Sequence, residues 1–273
     1  MAMMRIGLVG CGNIGADICI ALQRGGIPAE IAALVDLDPE RAALVKRSFQ
    51  LAADIVALEE AAARADFLLE CAGSAAAPVV AETAIAAGLD CLIMSVGGLM
   101  AHPEILEKAA AANVQVRIPS GALCGLDGIR AAMEAGLHEV TLTTRKPPKG
   151  LLGAPYLAEQ GIDVLALKEA TVVFEGSALE AVKAFPANVN VAAALSLAGI
   201  GPKATRVRVI ADPRATENSH EVTAEGAFGR LQTTTVNLPS PRNAKSSYLA
   251  SLSAVAELRA AAEAFASRQR AAQ

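Results

Sequence analysis

Short apolar runs alternate with alanine-rich stretches of helical spacing through the first 120 residues. The runs fall at residues 6–9, 31–35, 67–70, 91–94 and 114–118, and between them apolar positions recur three and four apart, as at Ile14, Ile18, Ala21 and Leu22. This alternation predicts a parallel sheet covered by helices. Acids and small residues follow the strands at Asp36, at 71–74 and at 95–98. Those are the carboxyl ends, where an open α/β sheet binds its ligand.

The pattern changes after Pro119-Ser120-Gly121. Helical spacing appears at 126–137 and 189–197, and strand-like runs at 138–144, 170–174, 205–211, 221–224 and 229–236. A mainly antiparallel sheet with one or two helices over it is expected. From Ser246 onward, Tyr248, Leu252, Val255, Leu258, Ala262 and Phe265 share one side of a helix, which must dock on apolar surface. The predicted fold is therefore α/β: a Rossmann-type doubly wound parallel sheet and a second α+β domain with a mainly antiparallel sheet. Residues 1–120 form the dinucleotide-binding domain, completed by a C-terminal helix over 241–273. Residues 121–240 form the substrate domain, whose sheet has a second face suited to homodimerisation.

Composition sharpens this picture by exclusion. The chain has 273 residues, 53% of them hydrophobic, enough to bury a large core. A net charge of −4 without runs of like charge gives no reason to expect nucleic acid or a membrane surface as a partner. The N-terminal residues lead into the first strand without the pattern of a secretory signal, so a cytoplasmic protein is expected. Five cysteines, Cys11, Cys19, Cys71, Cys91 and Cys124, form no C-x-x-C pair and read as packing residues of a reducing compartment, although Cys11 lies where alkylation would block the turn described next.

Between the first strand and the first helix stands Gly10-Cys11-Gly12-Asn13-Ile14-Gly15. Gly10 permits a tight turn, Gly12 lets backbone N–H groups approach a pyrophosphate, and Gly15 lets the helix pack close to the strand. Asp36 closes the second strand, where an acid bonds the adenosine ribose hydroxyls and repels a 2′-phosphate. NAD is thus favoured, and Arg41 leaves NADP open. Cys71, Ala72 and Gly73, with Ser95 after the next strand, complete the predicted cofactor site. Glu70 reads equally as a cap or as a buried partner. No cluster at metal-ligand spacing is present, so no metal is expected.

In order along the chain, the glycine turn, Glu70-Cys71-Ala72-Gly73, Ser95-Val96-Gly97, Pro119-Ser120-Gly121-Ala122, Thr144-Arg145-Lys146-Pro147-Pro148, Phe174-Glu175-Gly176, Asn188-Val189-Asn190-Val191-Ala192 and Asn218-Ser219-His220-Glu221 resemble the L-aspartate dehydrogenase family. The resemblance spans nearly the whole chain. It implies NAD(P)-dependent oxidative deamination of L-aspartate to iminoaspartate, which hydrolyses to oxaloacetate and ammonia or is drawn into quinolinate for NAD synthesis. It also implies a catalytic histidine at His220 and a nicotinamide held near Ala122, Cys124 and Asn190. The chain departs from the family's pattern at Cys124, where alanine is usual, and at Asn243-Ala244-Lys245-Ser246-Ser247, where a proline is missing and the role of Lys245 is loosened.

The chemistry narrows the residues further. Passing a hydride from the Cα of an amino acid requires a neutral amine, so a base must take a proton, and histidine suits this near pH 7. Of three histidines, His102 and His138 read as structural or surface residues, and His220 sits in a polar turn between Ser219 and Glu221. A dicarboxylate needs cationic donors, for which Arg145, Lys146, Lys149 and Lys245 are candidates, with Asn218 able to orient ring or substrate. Asn188 reads as a helix cap, and Asn190 suits a carboxamide. Two other functions fit the same pattern: a related dehydrogenase or reductase acting on another amino acid, imine or semialdehyde, and a non-catalytic NAD-binding sensor.

Overall fold

A computed structural model describes residues 2–186 and 190–271, with the side chains of Ala244 and Lys245 left out. The chain forms two units, one of residues 1–119 with 251–273 and one of 120–250.

In the first unit, six strands run β1 (Met4–Val9), β2 (Ala29–Val35), β3 (Asp54–Ile55), β4 (Phe67–Glu70), β5 (Asp90–Ile93) and β6 (Val116–Arg117). They lie in the order β3-β2-β1-β4-β5-β6, all pairs parallel, which is the doubly wound arrangement expected. The two-residue β3 has no counterpart in the apolar pattern, since both its residues are exposed. The connecting helices are α1 (Asn13–Gln23), α2 (Pro39–Ser48), α3 (Leu58–Arg64), α4 (Ala77–Ala87) and α5 (Glu104–Ala111). Alternation along the strands sends Ile6, Leu8, Phe67, Leu69 and Leu92 to one face, with Ile18, Val45, Leu258 and Ala262. Leu68, Cys91 and Ile93 go to the other, against Val80, Ala84 and Ile105.

Leu258 and Ala262 come from the C-terminal helix, which runs Tyr248–Ala271. It is shorter than the 241–273 expected. Residues Asn243–Ser247 instead pair as a strand with Pro239–Ser240, because alternating polar side chains there give no helical apolar stripe.

The second unit holds α6 (Leu126–Met133), β7 (Leu137–Lys146), α7 (Pro155–Glu159), β8 (Thr171–Ser177), α8 (Ala178–Ala184), α9 (Asn190–Ala198), β9 (Arg206–Ala211), β10 (Asn218–Gly226) and β11 (Gly229–Asn237). Its sheet runs β11-β10-β7-β9-β8, antiparallel except for the β7–β9 pair. One face buries Val140, Leu142, Val207, Val209, Val222 and Ala224 beneath the alanines of α8 and α9. Edge-to-face packing of Tyr156 on Phe174 at 5.2 Å and of Phe174 on Phe185 at 5.5 Å closes one corner. Both β7 and β10 run further than their apolar patterns, β7 through Arg145 and Lys146 and β10 from Asn218 through His220.

Candidate active site

In the first unit each glycine of the turn answers to a different neighbour. Gly10 adopts φ +99°, and a Cβ there would lie 2.6 Å from the Cys71–Ala72 backbone. A Cβ on Gly15 would lie 2.4 Å from the Gly10 carbonyl oxygen. Gly12 is different, for no described atom lies within 4 Å of its Cβ position. Packing therefore demands the first two, and the space a side chain at Gly12 would fill stands in front of α1. Helix α1 opens at Asn13 without a side-chain cap, so its first N–H groups face that space. This geometry fits the pyrophosphate of a dinucleotide.

Two carboxylates brace the turn and its neighbours. Asp36 accepts the Cys11 N–H at 2.7 Å and the Asp38 N–H at 2.9 Å. Glu70 is fully buried and accepts from the N–H groups of Ala72 (2.7 Å), Gly73 (2.9 Å) and Ser95 (2.9 Å) and from the Ser95 hydroxyl (2.9 Å). Burial pushes its carboxyl up, against hydrogen bonds that favour the anion. Of the two sequence readings of Glu70, the structure selects the buried partner. Cys71, Ala72, Gly73 and Ser95 are thereby fixed at the strand ends with residues 10–15, of which Asn13 is exposed and Ile14 half-buried.

Cys11 lies in the turn, as expected, but is poorly placed to react. Its thiol is buried and is pushed up to about 12 by burial, so it carries almost no thiolate at neutral pH. Cys124 departs from the packing expectation in the other direction, because it is exposed. Its carbonyl accepts from the Thr233 hydroxyl at 3.2 Å.

In the second unit His220 lies within β10 and not in a turn, opposite Thr144 on β7 and Thr235 on β11. His220 is 3% exposed, and its Nδ1 is 3.0 Å from the hydroxyl of Thr144. Burial, then the Lys146 charge, push its pKa down to about 3. Lys146, two positions beyond Thr144 on the same face, is 6% exposed, and burial brings its ammonium down to about 8. Gly150 sits beside both Lys146 and Asn218: its Cβ position is 3.9 Å from the lysine stem and 4.0 Å from Asn218 Oδ1. Thr144 and Lys146 also line a narrow pocket of about 10 Å³ with Leu151, Phe185 and Val191. Space for about one water is all that this provides.

The remaining candidates are placed elsewhere. Arg145 alternates to the opposite face of the sheet, where it bonds Asp212 at 2.7 Å. The Arg214 N–H and that guanidinium hold the Asp212 carboxyl below its usual range. Lys149 is exposed, as is Asn190 at the start of α9. Asn188 and the Lys245 side chain lie outside the described residues. The Ala122 carbonyl accepts from the Thr235 hydroxyl (2.8 Å) and the Asn237 amide (3.2 Å), so both its lone pairs are engaged. Thr144 lies in a stretch that carries the family resemblance but has no role assigned there, and Thr233, Thr235 and Asn237 have no signal of their own in the sequence; inward alternation on β7 and β11 groups all four.

Known proteins resemble this chain along most of its length. Residues 127–261 match the family described as "Aspartate dehydrogenase, C-terminal", and residues 10–119 match "Homoserine dehydrogenase, NAD binding domain". The L-aspartate dehydrogenase of Methanosarcina mazei is 47% identical over 262 residues, covering 94% of this chain and 96% of that protein. That of Bradyrhizobium diazoefficiens is 37% identical, covering 94% and 91%. The crystal structure of aspartate dehydrogenase from Thermotoga maritima superposes with a TM-score of 0.68 at 25% identity, covering 92% of each chain.

Proposed function

The chain belongs to the L-aspartate dehydrogenase family, and from that membership we propose how its residues divide the oxidation of L-aspartate to iminoaspartate. The first unit holds the dinucleotide, with its pyrophosphate in front of Gly12 and α1 and its adenosine ribose at Asp36. A nicotinamide dinucleotide bound there supplies the hydride acceptor. The second unit supplies the base, His220, and the cation, Lys146, with Asn218 beside Lys146 to fix the substrate's orientation.

Aspartate arrives as an ammonium with two carboxylates. Lys146 binds one carboxylate through a charge-assisted hydrogen bond, stronger for being buried. Nε2 of His220 takes a proton from the ammonium, which frees the nitrogen lone pair; loss of the Cα hydride then leaves the C=N bond of iminoaspartate. Water adds to that carbon, and release of ammonia gives oxaloacetate. Without a substrate beside it, an imidazole near pKa 3 is a weak base. A bound dianion offsets the Lys146 charge that helps hold the imidazole down, so the base strengthens when its substrate arrives.

The juxtaposition of buried His220 and buried Lys146 at one end of the sheet carries this reading. NADH oxidation with ammonia should run with oxaloacetate far faster than with pyruvate, which lacks the second carboxylate. Equal rates with the two would overturn Lys146 as the specificity group. We further propose NAD over NADP, because the Asp36 carboxylate repels a 2′-phosphate and Arg41, the nearest cation in sequence, is drawn to Asp38 at 3.5 Å. A homodimer is supported by Val236, 62% exposed on the edge strand β11, with Leu238, 65% exposed, just beyond it. Five free cysteines support a cytoplasmic setting. No helix among the described residues is long and apolar enough to cross a membrane.

A further inference from the structure

A base must present a lone pair to its substrate, and a neutral imidazole has only one. In His220 the nitrogen Nδ1 is already engaged, 3.0 Å from the hydroxyl of Thr144, and both side chains are buried on the same face of the sheet. Two arrangements of that contact exist, and they have opposite consequences. If the hydroxyl donates to Nδ1, the ring proton sits on Nε2 and no nitrogen is left to accept. If Nδ1–H donates to the hydroxyl oxygen, Nε2 keeps its lone pair.

We propose that Thr144 is a positioning residue of this enzyme: its hydroxyl oxygen accepts the Nδ1–H of His220 and so holds the ring in the tautomer whose free lone pair is on Nε2. This rests on the reading of His220 as the base. The arrangement survives the proton transfer, because an imidazolium still donates from Nδ1 to the same oxygen. Strand pairing fixes the contact, since His220 and Thr144 stand directly opposite in the β7–β10 ladder. The orienting group is a neutral hydroxyl and not a carboxylate, so it selects the tautomer without adding the charge that would raise the imidazole's pKa.

Imidazole ¹⁵N chemical shifts of the full-length enzyme test this directly, and with three histidines in the chain the His220 signals are assigned by a single substitution. The expected wild-type spectrum at neutral pH has a protonated Nδ1 and an unprotonated Nε2; a protonated Nε2 overturns the proposal without recourse to any variant. Thr144→Val keeps the shape and removes the hydroxyl. It should lower kcat at least ~10-fold while KM for aspartate and the affinity for NAD stay within about 2-fold, and Thr144→Ser should restore kcat to within about 3-fold of wild type. His220→Gln separates the two claims. Should it lose activity while Thr144→Val keeps full kcat, the role of Thr144 alone is overturned. Should His220→Gln itself remain active, the reading of His220 as the base falls, and this proposal with it.

Discussion

The sites proposed in the two units are built from different material. In the first unit the proposed binding groups are backbone: N–H donors of α1 and the loops after β4 and β5, with Asp36 and Glu70 holding the loops in place through main-chain bonds. In the second unit the proposed groups are side chains, His220, Thr144 and Lys146, taken from paired strands and buried, with the pKa values of His220 and Lys146 displaced. A backbone site makes few demands on stability, because its donors need only a turn. A buried ammonium such as Lys146 stores charge in an apolar place, so function and stability oppose each other there.

The largest expected effect on substrate affinity breaks that opposition on the second side. Lys146→Met should raise KM for aspartate about 100-fold, the loss of one buried charge-assisted bond. The same change should stabilise the fold at pH 7. The sign follows from linkage: the folded-state pKa of Lys146 is lowered from 10.5 to about 8, so the buried ammonium costs stability below pH 8, and that cost is relieved as pH rises from 8 to 10.5. Wild type should therefore gain thermal stability across that window and the variant should not, as melting curves in a pH series will show.

Substitutions at the glycines sharpen the contrast from the other side. Gly12→Val places carbon where the pyrophosphate must approach and should weaken NAD binding on the order of 10-fold or more with the melting temperature unchanged. Gly15→Ala drives a Cβ against the Gly10 carbonyl and should cost about 1–3 kcal/mol of stability, read by urea denaturation. If both lost stability equally, the space in front of Gly12 would not be a ligand cradle. The smallest effect is expected at Asp36→Ser, which should shift the NADP-to-NAD ratio of kcat/KM toward NADP by several-fold, on the order of 1 kcal/mol. It should also loosen the turn by removing the Cys11 and Asp38 bonds.

The same contrast explains what could be read from the chain. The turn at Gly10–Gly15 is local: its three glycines lie within six residues, two of them pressed against backbone and the third facing open space, so sequence spacing alone exposes it. The four longer strands of the first sheet were legible for a similar reason, since burial on both faces makes each a continuous apolar run. The second site is non-local. Thr144 and His220 are 76 residues apart and meet only through the β7–β10 register. Polar residues at the ends of β7 and β10 masked the strands' true length, and with it the alternation that puts Thr144 and Lys146 on one face and Arg145 on the other. His220 stands out as the candidate base because only three histidines occur and it alone has polar neighbours on both sides. Its neighbours needed the sheet.

Steady-state kinetics of His220→Gln, with NAD affinity measured in parallel by fluorescence titration, test the central claim most directly. The division of labour described above predicts that kcat falls by about 10²–10⁴-fold while the dissociation constant for NAD stays within about 2-fold, because the base and the dinucleotide groups belong to different units. A variant that keeps wild-type kcat, or that loses NAD binding along with turnover, would contradict it.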